Sequence, residues 1–343
     1  MEFRLVWFDS FGAKSSCVAV KAGRHKLVID PGIAIMHPSF PASAAKKAYW
    51  YAKGRKAVIN ALKWADLVVI SHYHWDHFIP EPRSYIGKKL FVKNPNEYIN
   101  DSQRKRAEEF FGKLFELVGI KKTAKKKRRK SYEDPCKRLR SVKLDFGDYQ
   151  RRRKELLRLG RKWFKTRVER WGHYEPIPEV ANKSIKLVFP EGKTFRFGPL
   201  KLRFTKPLFH GIEYSRVGWV FATIVEWKGK KLLPSSDLNG PIIEDYADWI
   251  IEENPTHLIL DGPMTYMLGY TMNRTNFRRV LANAKRIVEE DDFEVMIWDH
   301  HLPRESRFRT RTKEVWELAK RLGKNLLTAS EYQLRKKPVV ESS

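Results

Sequence analysis

Cysteine is almost absent: Cys17 and Cys136 are the two in 343 residues. So few thiols exclude a disulfide framework and fit a cytoplasmic setting. Long apolar runs are missing too. None approaches the roughly 20 residues that a membrane-spanning helix needs. No charged-then-apolar segment precedes Asp9, so neither a secretory signal nor a membrane partner is expected. Glutamine occurs only three times while 31% of residues are charged, a balance seen in proteins of thermophiles. Negative charge is the scarcest relative to its counterpart. Lysine and arginine number 68 against 40 acidic residues, a net charge of +28. A thermophilic composition raises lysine and glutamate together, so it accounts for charge density but not for this imbalance. The excess points to a polyanionic partner, RNA or DNA. The plainer reading is a basic, solvated surface. The length suggests about two domains, or one large α/β sandwich carrying an insertion.

Histidine is concentrated. Three of the ten fall in Leu67-Val-Val-Ile-Ser-His72-Tyr-His74-Trp-Asp76-His77. Leu67 to Ile70 reads as a short buried strand that stops at Ser71. His72 and His74 are two apart, so in an extended exit both imidazoles point the same way. Asp76 and His77 follow a bend and can address a second point. Imidazole and carboxylate are the ligands that zinc and similar divalent ions prefer.

The spacing His-x-His-x-Asp-His resembles the signature of the metallo-β-lactamase superfamily. That resemblance implies an α/β fold, a four-layer αββα sandwich with one or two metal ions at one end. Narrower similarities carry it further. Ile70 to His77, Ile99-Asn-Asp-Ser102-Gln103, Leu260-Asp-Gly-Pro263 with Thr265-Tyr266, and Asp299-His-His-Leu302 look like an archaeal subfamily of metallo-β-lactamase-like proteins. It implies the remaining ligands at strand ends: His210, Asp237 and His301. Asp237 would bridge two ions. It stands after Ser236, where the superfamily often has glycine. His72, His74 and His210 would hold one ion, and Asp76, His77 and His301 the other. The cofactor expected is therefore a pair of divalent metal ions, zinc first, with iron or manganese as alternatives. Asp76 would orient a nucleophilic hydroxide bridging the ions, and His300 would serve as a proton-transfer group. Asp30 would brace the metal loops, and Asp261 is a further pocket candidate whose simpler role is capping the next segment.

Along the chain, strands are predicted at 3–8, 17–20 and 26–29, an irregular stretch at 33–54, and helices at 55–64, 102–118 and 151–171. Later strands are expected at 184–189, 201–205, 219–227, 230–233, 257–260 and 294–298, with helices near 242–252, 273–290 and 312–322. The sandwich is assigned to residues 1–100 and 181–343, and residues 101–180 to a basic, largely helical insertion. Between residues 101 and 170 there are 26 lysines and arginines against ten acids. Lys125, Lys126, Lys127, Arg128, Arg129 and Lys130 form one run. With Trp163 and Trp171 they make a candidate nucleic-acid surface, cations for phosphates and rings for bases. The competing reading has these rings dock a basic hairpin to the body.

Three functions fit: a metal-dependent hydrolase of phosphodiesters in RNA or DNA, a glyoxalase-like thioester or lactone hydrolase acting on an anionic small molecule, and a non-enzymatic nucleic-acid-binding protein with a structural metal. Seven ligands around two ions leave an open water position that a structural site would close, which disfavours the last.

Overall fold

The computed structural model describes residues 1–120 and 131–342. The basic run at 125–130 lies outside the described residues. The first sheet contains β1 (Glu2–Phe8), β2 (Ser16–Ala22), β3 (His25–Ile29), β4 (Leu67–Ile70), β5 (Lys89–Val92), β6 (Val180–Ala181) and β7 (Lys186–Val188), in the order β1-β2-β3-β4-β5-β7-β6. The second contains β8 (Thr194–Phe197), β9 (Leu200–Phe204), β12 (Thr223–Trp227), β13 (Lys230–Pro234), β14 (His257–Asp261), β15 (Val295–Asp299) and β16 (Leu326–Leu327), in the order β16-β15-β14-β13-β12-β9-β8. Between β9 and β12, a small ribbon of β10 (Leu208–Phe209) and β11 (Trp219–Val220) stands apart. The sheets share a plan. Each begins with antiparallel hairpins and continues as parallel strands, β3-β4-β5-β7 in one and β13-β14-β15-β16 in the other.

The sheets pack face to face. Phe91 of β5 meets Phe195 of β8 and Phe204 of β9 at ring distances of 4.8 and 5.3 Å. β4 is apolar and buried at every position because both its faces are covered. On the outside of the first sheet lies α1 (Ala44–Trp64). There Gly54 lets the helix approach β1, since a Cβ would sit 2.3 Å from Ile33 and 2.7 Å from the Trp7 ring. Next, α2 (Asp101–Leu117) packs Phe110 and Phe111 on Phe78, Tyr85 and Tyr73, the segment that follows β4. A long helix, α3 (Gln150–His173), comes third. The second sheet is covered by α4 (Glu244–Glu253), α5 (Arg274–Glu290) and, after the single turn α6 (Phe308–Arg311), by α7 (Lys313–Arg321). Trp316 of α7 rests on Trp298 of β15 at 5.6 Å. The order of layers is helix, sheet, sheet, helix, the αββα sandwich.

Two expectations are corrected. The helix predicted at 55–64 begins at Ala44, inside the stretch read as irregular. Ser43 caps it, accepting the Lys46 amide at 3.2 Å, and an Ala/Lys-rich first turn follows. The strand predicted at 219–227 is two strands. It leaves the ribbon after Val220 and joins β9 from Thr223 onward, with the Ala222 amide donating to Thr205 Oγ1 on the way.

Within residues 101–180 the aromatic side of α3 faces the protein. Trp171 is 0% exposed, its indole N–H donates to the Ile99 carbonyl at 2.8 Å, and it meets Trp219 edge-on at 5.4 Å. It has no free face for a base, so the candidate role as a stacking platform is corrected to that of an anchor. Trp163 is half-buried and lies parallel to Trp219 at 5.4 Å. Arg153 is buried too, paired with Glu213 at 2.9 Å, and Glu213 also binds Arg279 of α5. The outer side of α3 is basic, exposing Arg151, Arg152, Lys154, Arg158, Arg161, Lys162, Lys165 and Arg170. Among the described residues, no helix is long and apolar enough to cross a membrane.

Trp171→Ala should cost about 3–5 kcal/mol of stability, the range for deleting a buried aromatic. Trp163→Ala should cost clearly less, because its ring is already part-solvated. Denaturant melts of the two variants compare the costs, and equal midpoints would remove the anchor assignment. A second test follows from Asp291, just past α5. Burial pushes its carboxyl up to about 7, and Lys324 and the Asp292 amide offset this only in part. A pKa above the unfolded value means that the folded state holds the proton more tightly. Stability should therefore be greatest below about pH 4 for this group and decline as pH rises through about 7. Asp291→Asn should flatten that decline in melts taken from pH 5 to 8.

Candidate metal centre

All the elements that reach the site do so by their ends. Just past the end of β3 stands Asp30, whose backbone is left-handed at φ 49°. Its carboxylate accepts the Ser71 amide and the Ser71 hydroxyl, both at 2.7 Å, and the His77 Nδ1–H at 2.9 Å. One buried acid thereby fixes both the start and the end of the His-x-His-x-Asp-His loop. The loop also runs hard against Gly32, where a Cβ would lie 2.2 Å from the amide nitrogens of His77 and Phe78.

With Nδ1 committed, His77 turns Nε2 inward, 3.0 Å from Asp237 Oδ1 and 3.2 Å from His300 Nε2. His72 Nε2 lies 3.0 Å from His74 Nδ1 and 3.4 Å from Asp237 Oδ2. Asp237 follows β13, and its other neighbours are His210 Nε2, 3.1 Å from Oδ2, and His300 Nε2, 3.3 Å from Oδ1. The two oxygens of one carboxylate thus divide four imidazoles between them. Ligating atoms fall into groups within 4.8 Å of one another: His72, His74, His210 and Asp237; Asp76, His77 and His300; and Asp237, His300 and His301.

Ser236 sits at φ 58°. That left-handed backbone is the physical reason a glycine suits the position in the superfamily. Here the serine takes it, and its hydroxyl donates to Ser71 Oγ at 2.8 Å, tying the two ligand loops together. His300 and His301 are also left-handed, at φ 27° and 57°. Each such residue costs about 1–3 kcal/mol and persists only where its surroundings impose it. The Asp299 carboxylate accepts the His300 amide at 2.9 Å, and Asp9 accepts the His301 amide at 2.8 Å.

This turn decides which histidine faces which group, and it sets His300, where His301 was expected, with Asp76 and His77. His300 stands beside His77 and Asp76, with Nδ1 3.1 Å from Asp9 Oδ1 and from the Ser15 carbonyl. The ring of His301 is turned so that Nδ1 meets Asp261 at 2.7 Å, leaving this imidazole on the Asp237–His300 side of the cleft. Asp261 accepts the Asn239 amide as well, at 2.6 Å.

Reading the sequence missed Asp9, Gln103 and Arg304. Asp9 closes β1 and binds His300, the His301 amide, the Ser15 amide at 2.9 Å and Arg304. Gln103, wholly buried at the start of α2, accepts the Tyr73 amide at 3.1 Å and brings its side-chain nitrogen to 3.5 Å from His74 Nε2. The motif around Ile99 to Gln103 was the available signal for Gln103. Asp9 had none, being a single residue far from the ligands in sequence, and Arg304, three residues after His301, had only its place in a basic chain.

Electrostatics sort the imidazoles. Burial lowers His72 to about 4, helped by the neighbouring His77 and resisted by Asp237. Burial and the adjoining His72 and His210 hold His74 well below the usual range. His301 is lowered by burial, Arg304 and His300. These three are neutral at pH 7, the ligating form. For His77, burial is outweighed by Asp237 and Asp30, which raise it to about 10. His300 is likewise raised, burial being outweighed by Asp9 and Asp237. Asp237 and Asp76 stay ionised. Burial would neutralise them, but His77 and His300 hold both below the ordinary carboxylate range.

A cation fits this donor set. Both ring nitrogens of the buried His210 and Oδ1 of Asp237 lack an aligned hydrogen bond among the described residues. Orphaned polar atoms at this depth are costly unless something satisfies them. Here they face one another from the ends of two strands, β10 and β13. Six histidines and two carboxylates without a thiol suit zinc, and they also suit iron or manganese.

An αββα sandwich with a His/Asp cluster at the strand ends defines a metallo-β-lactamase-fold protein. The chain belongs to the UPF0282 family. It is 30% identical over 325 residues to a UPF0282 protein of Pyrococcus abyssi, covering 90% of this chain and 82% of that one. A UPF0282 protein of Korarchaeum cryptofilum is 28% identical over 331 residues, covering 94% and 86%. No family model matches the chain. Among solved structures it is similar to the metallo-beta-lactamase fold protein YhfI from Bacillus subtilis, at 13% identity and a TM-score of 0.39, covering 88% of this chain and 85% of that one.

His300→Ala should lower the metal bound per chain, whereas His301→Ala should leave most of it in place. Elemental analysis of the two purified variants checks this. Loss on His301→Ala alone would restore the order that the sequence suggested.

Proposed function

We propose that the protein is a dinuclear metal-dependent hydrolase that cleaves phosphodiesters in RNA or DNA. The observation that carries the reading is the division of the Asp237 oxygens between two ligand groups, Oδ2 toward His72 and His210 and Oδ1 toward His77 and His300. A carboxylate so placed is suited to sit between two ions. When bound, such ions would supply Lewis-acid activation of water and neutralise charge on attacking and leaving oxygens. Asp76, ionised and beside Arg304, is the group to orient the attacking water. His301, steadied by Asp261 and neutral when free, can take up the proton released by the attacking water and pass it to the departing oxygen. Asp30 and Asp9 touch no substrate in this scheme and keep His77 and His300 in orientation.

The substrate class rests on charge. Phe209, one residue before His210, pairs with Trp219, the ring on which Trp163 and Trp171 of α3 dock. The exposed cations of α3 are therefore carried on an element fixed beside the metal centre. A polyanion bound along that face would be bound mainly by phosphate neutralisation.

Purified holoenzyme, assayed on long RNA, single-stranded DNA, bis-p-nitrophenyl phosphate and a thioester, tests the reading. Phosphodiester turnover that is lost on chelation and restored by metal is expected. Replacing Arg158, Lys162 and Lys165 by glutamine should weaken RNA binding and reduce the log–log salt slope by about 0.7 per lost contact. Turnover of the thioester alone would replace this function with a glyoxalase-like one. Metal retention with turnover of none of the four would favour a binding protein.

A further inference from the structure

Three cations stand on the Asp76 side of the cleft, none of them part of the ligand set, and one of them, Lys14, is without a partner among the described residues. Arg304 is buried, its guanidinium bound to Asp9 through Nε and to Tyr266 Oη through Nη1 at 3.2 Å. Its Nη2 is also buried, 3.5 Å from Asp76, and has no aligned hydrogen bond among the described residues. Lys14 lies across from the metal loop. Its backbone pairs with Ala34 at 2.9 Å in both directions, and the residue before Ala34, Ile33, donates its amide to the Trp75 carbonyl at 2.8 Å. Ser15, immediately after Lys14, touches His300 through its carbonyl. Half-buried, the Lys14 ammonium has no ion pair or hydrogen bond among the described residues. Burial and Arg304 weaken its charge, and Asp76 and Asp9 restore it in part. Arg106 arrives from α2. It donates to the Tyr73 carbonyl at 3.1 Å and lies over the Trp75 ring at 5.1 Å, so it straddles the backbone on either side of His74. It too is only half-exposed and feels the Asp76 charge.

Like charges gathered beside a site built for divalent cations repel one another and the ions, and partial burial deepens the cost. Such an arrangement is favourable once an anion completes it. We infer that Lys14 and Arg106 form an oxyanion subsite on the Asp76 side of the metal centre, which seats the non-bridging oxygens of a substrate phosphoryl group, while Arg304 acts behind it as a positioning residue for Asp76. The subsite rests on the hydrolase reading for the identity of its ligand but not for its existence. Lysine supplies a compact point charge and arginine a planar fork suited to phosphate. The scissile phosphate would then be held by this chain's own cations as well as by whatever the ligand groups bind.

The test is calorimetric titration of inorganic phosphate, with acetate as the second probe, into metal-loaded full-length protein. Metal content is measured for every variant. Lys14→Met and Arg106→Gln should each weaken phosphate binding about ten- to a hundredfold, the worth of a hydrogen bond to a charged group, with metal content unchanged. Lys14→Arg keeps the charge and should keep most of the affinity, which guards against a merely structural effect of the methionine. Phosphate bound equally well by wild type, Lys14→Met and Arg106→Gln at full metal content would overturn the subsite. Acetate bound as tightly as phosphate would overturn its assignment to a phosphoryl group. Because the titration needs no turnover, Lys14-dependent phosphate binding without any phosphodiester cleavage would leave the subsite standing and sink the proposed function instead.

Discussion

A single buried carboxylate sets the terms for the rest of the structure. Asp237 is surrounded by the Nε2 atoms of His72, His77, His210 and His300 at 3.0 to 3.4 Å. Four imidazoles cannot all donate to two oxygens with good alignment at that depth, and several polar atoms are left without partners. The fold holds this frustrated cluster by means that lie outside it. Asp30 holds the His77 loop, Asp9 and Asp299 hold the His300 turn, and Asp261 holds His301 and the Asn239 amide. Each of these acids stands at a strand end, Asp30 just past β3, Asp9 just past β1, and Asp261 and Asp299 as last residues of β14 and β15. A strand end is where a stiff element stops and a loop begins, so it is the position with the least freedom from which to aim a neighbour.

Strain is spread over the same places. Asp30, Ser236, Asn239, His300 and His301 all have left-handed backbones without being glycine. Their cumulative cost is several kcal/mol on the scale of about 1–3 kcal/mol for each, which only a large core can sustain. The two facing sheets supply that core, and the parallel strands that end at the site are the ones buried on both faces. The antiparallel hairpins at the opposite edges carry the solvated residues. Most of the site is carried by the parallel strands, and two antiparallel elements add to it, β1 through Asp9 and the β10–β11 ribbon through His210.

How much of this the sequence disclosed depends on how local each feature is. The loop from His72 to His77 was legible because four ligands fall within six residues of one strand. His210 and Asp237 were legible only through resemblance, since neither has a local pattern of its own. Where His300 and His301 point was not legible, because it depends on two backbone angles and on two acids, Asp9 and Asp299, one of them almost 300 residues away. Asp9 looked like the first polar residue after a strand, and Arg304 like one more arginine in a basic chain. The start of α1 was obscured by Pro38, Pro41 and an aromatic stretch, although Ser43 ahead of an alanine and lysine run is a capping signal. Trp163 and Trp171 show the limit of pattern reading. Rings at helical spacing among arginines look the same whether they face a ligand or a tryptophan of the same chain, and only Trp219 decides the matter.

The charge excess separates into two kinds of cation with different physics. Arg153, Arg167, Arg279 and Arg304 are buried and matched by Glu213, Asp101, Glu244 and Asp9, so they contribute to the fold and nothing to an external field. Breaking such a pair leaves a buried charge without its partner, which is why these positions tolerate little change. The exposed cations of α3 have few such partners, Arg152 with Glu155 and Arg170 with Asp101 among them. Their field extends into solvent over about 8–10 Å at physiological salt. A long basic helix whose inner side is spent on tryptophan packing and buried ion pairs can afford an outer side with no structural duty. That surface is maintained against self-repulsion, a cost that packing on Trp219 and the Glu213 pairs can offset but does not require. Under the proposed function, the counterpart of that surface is an anionic substrate.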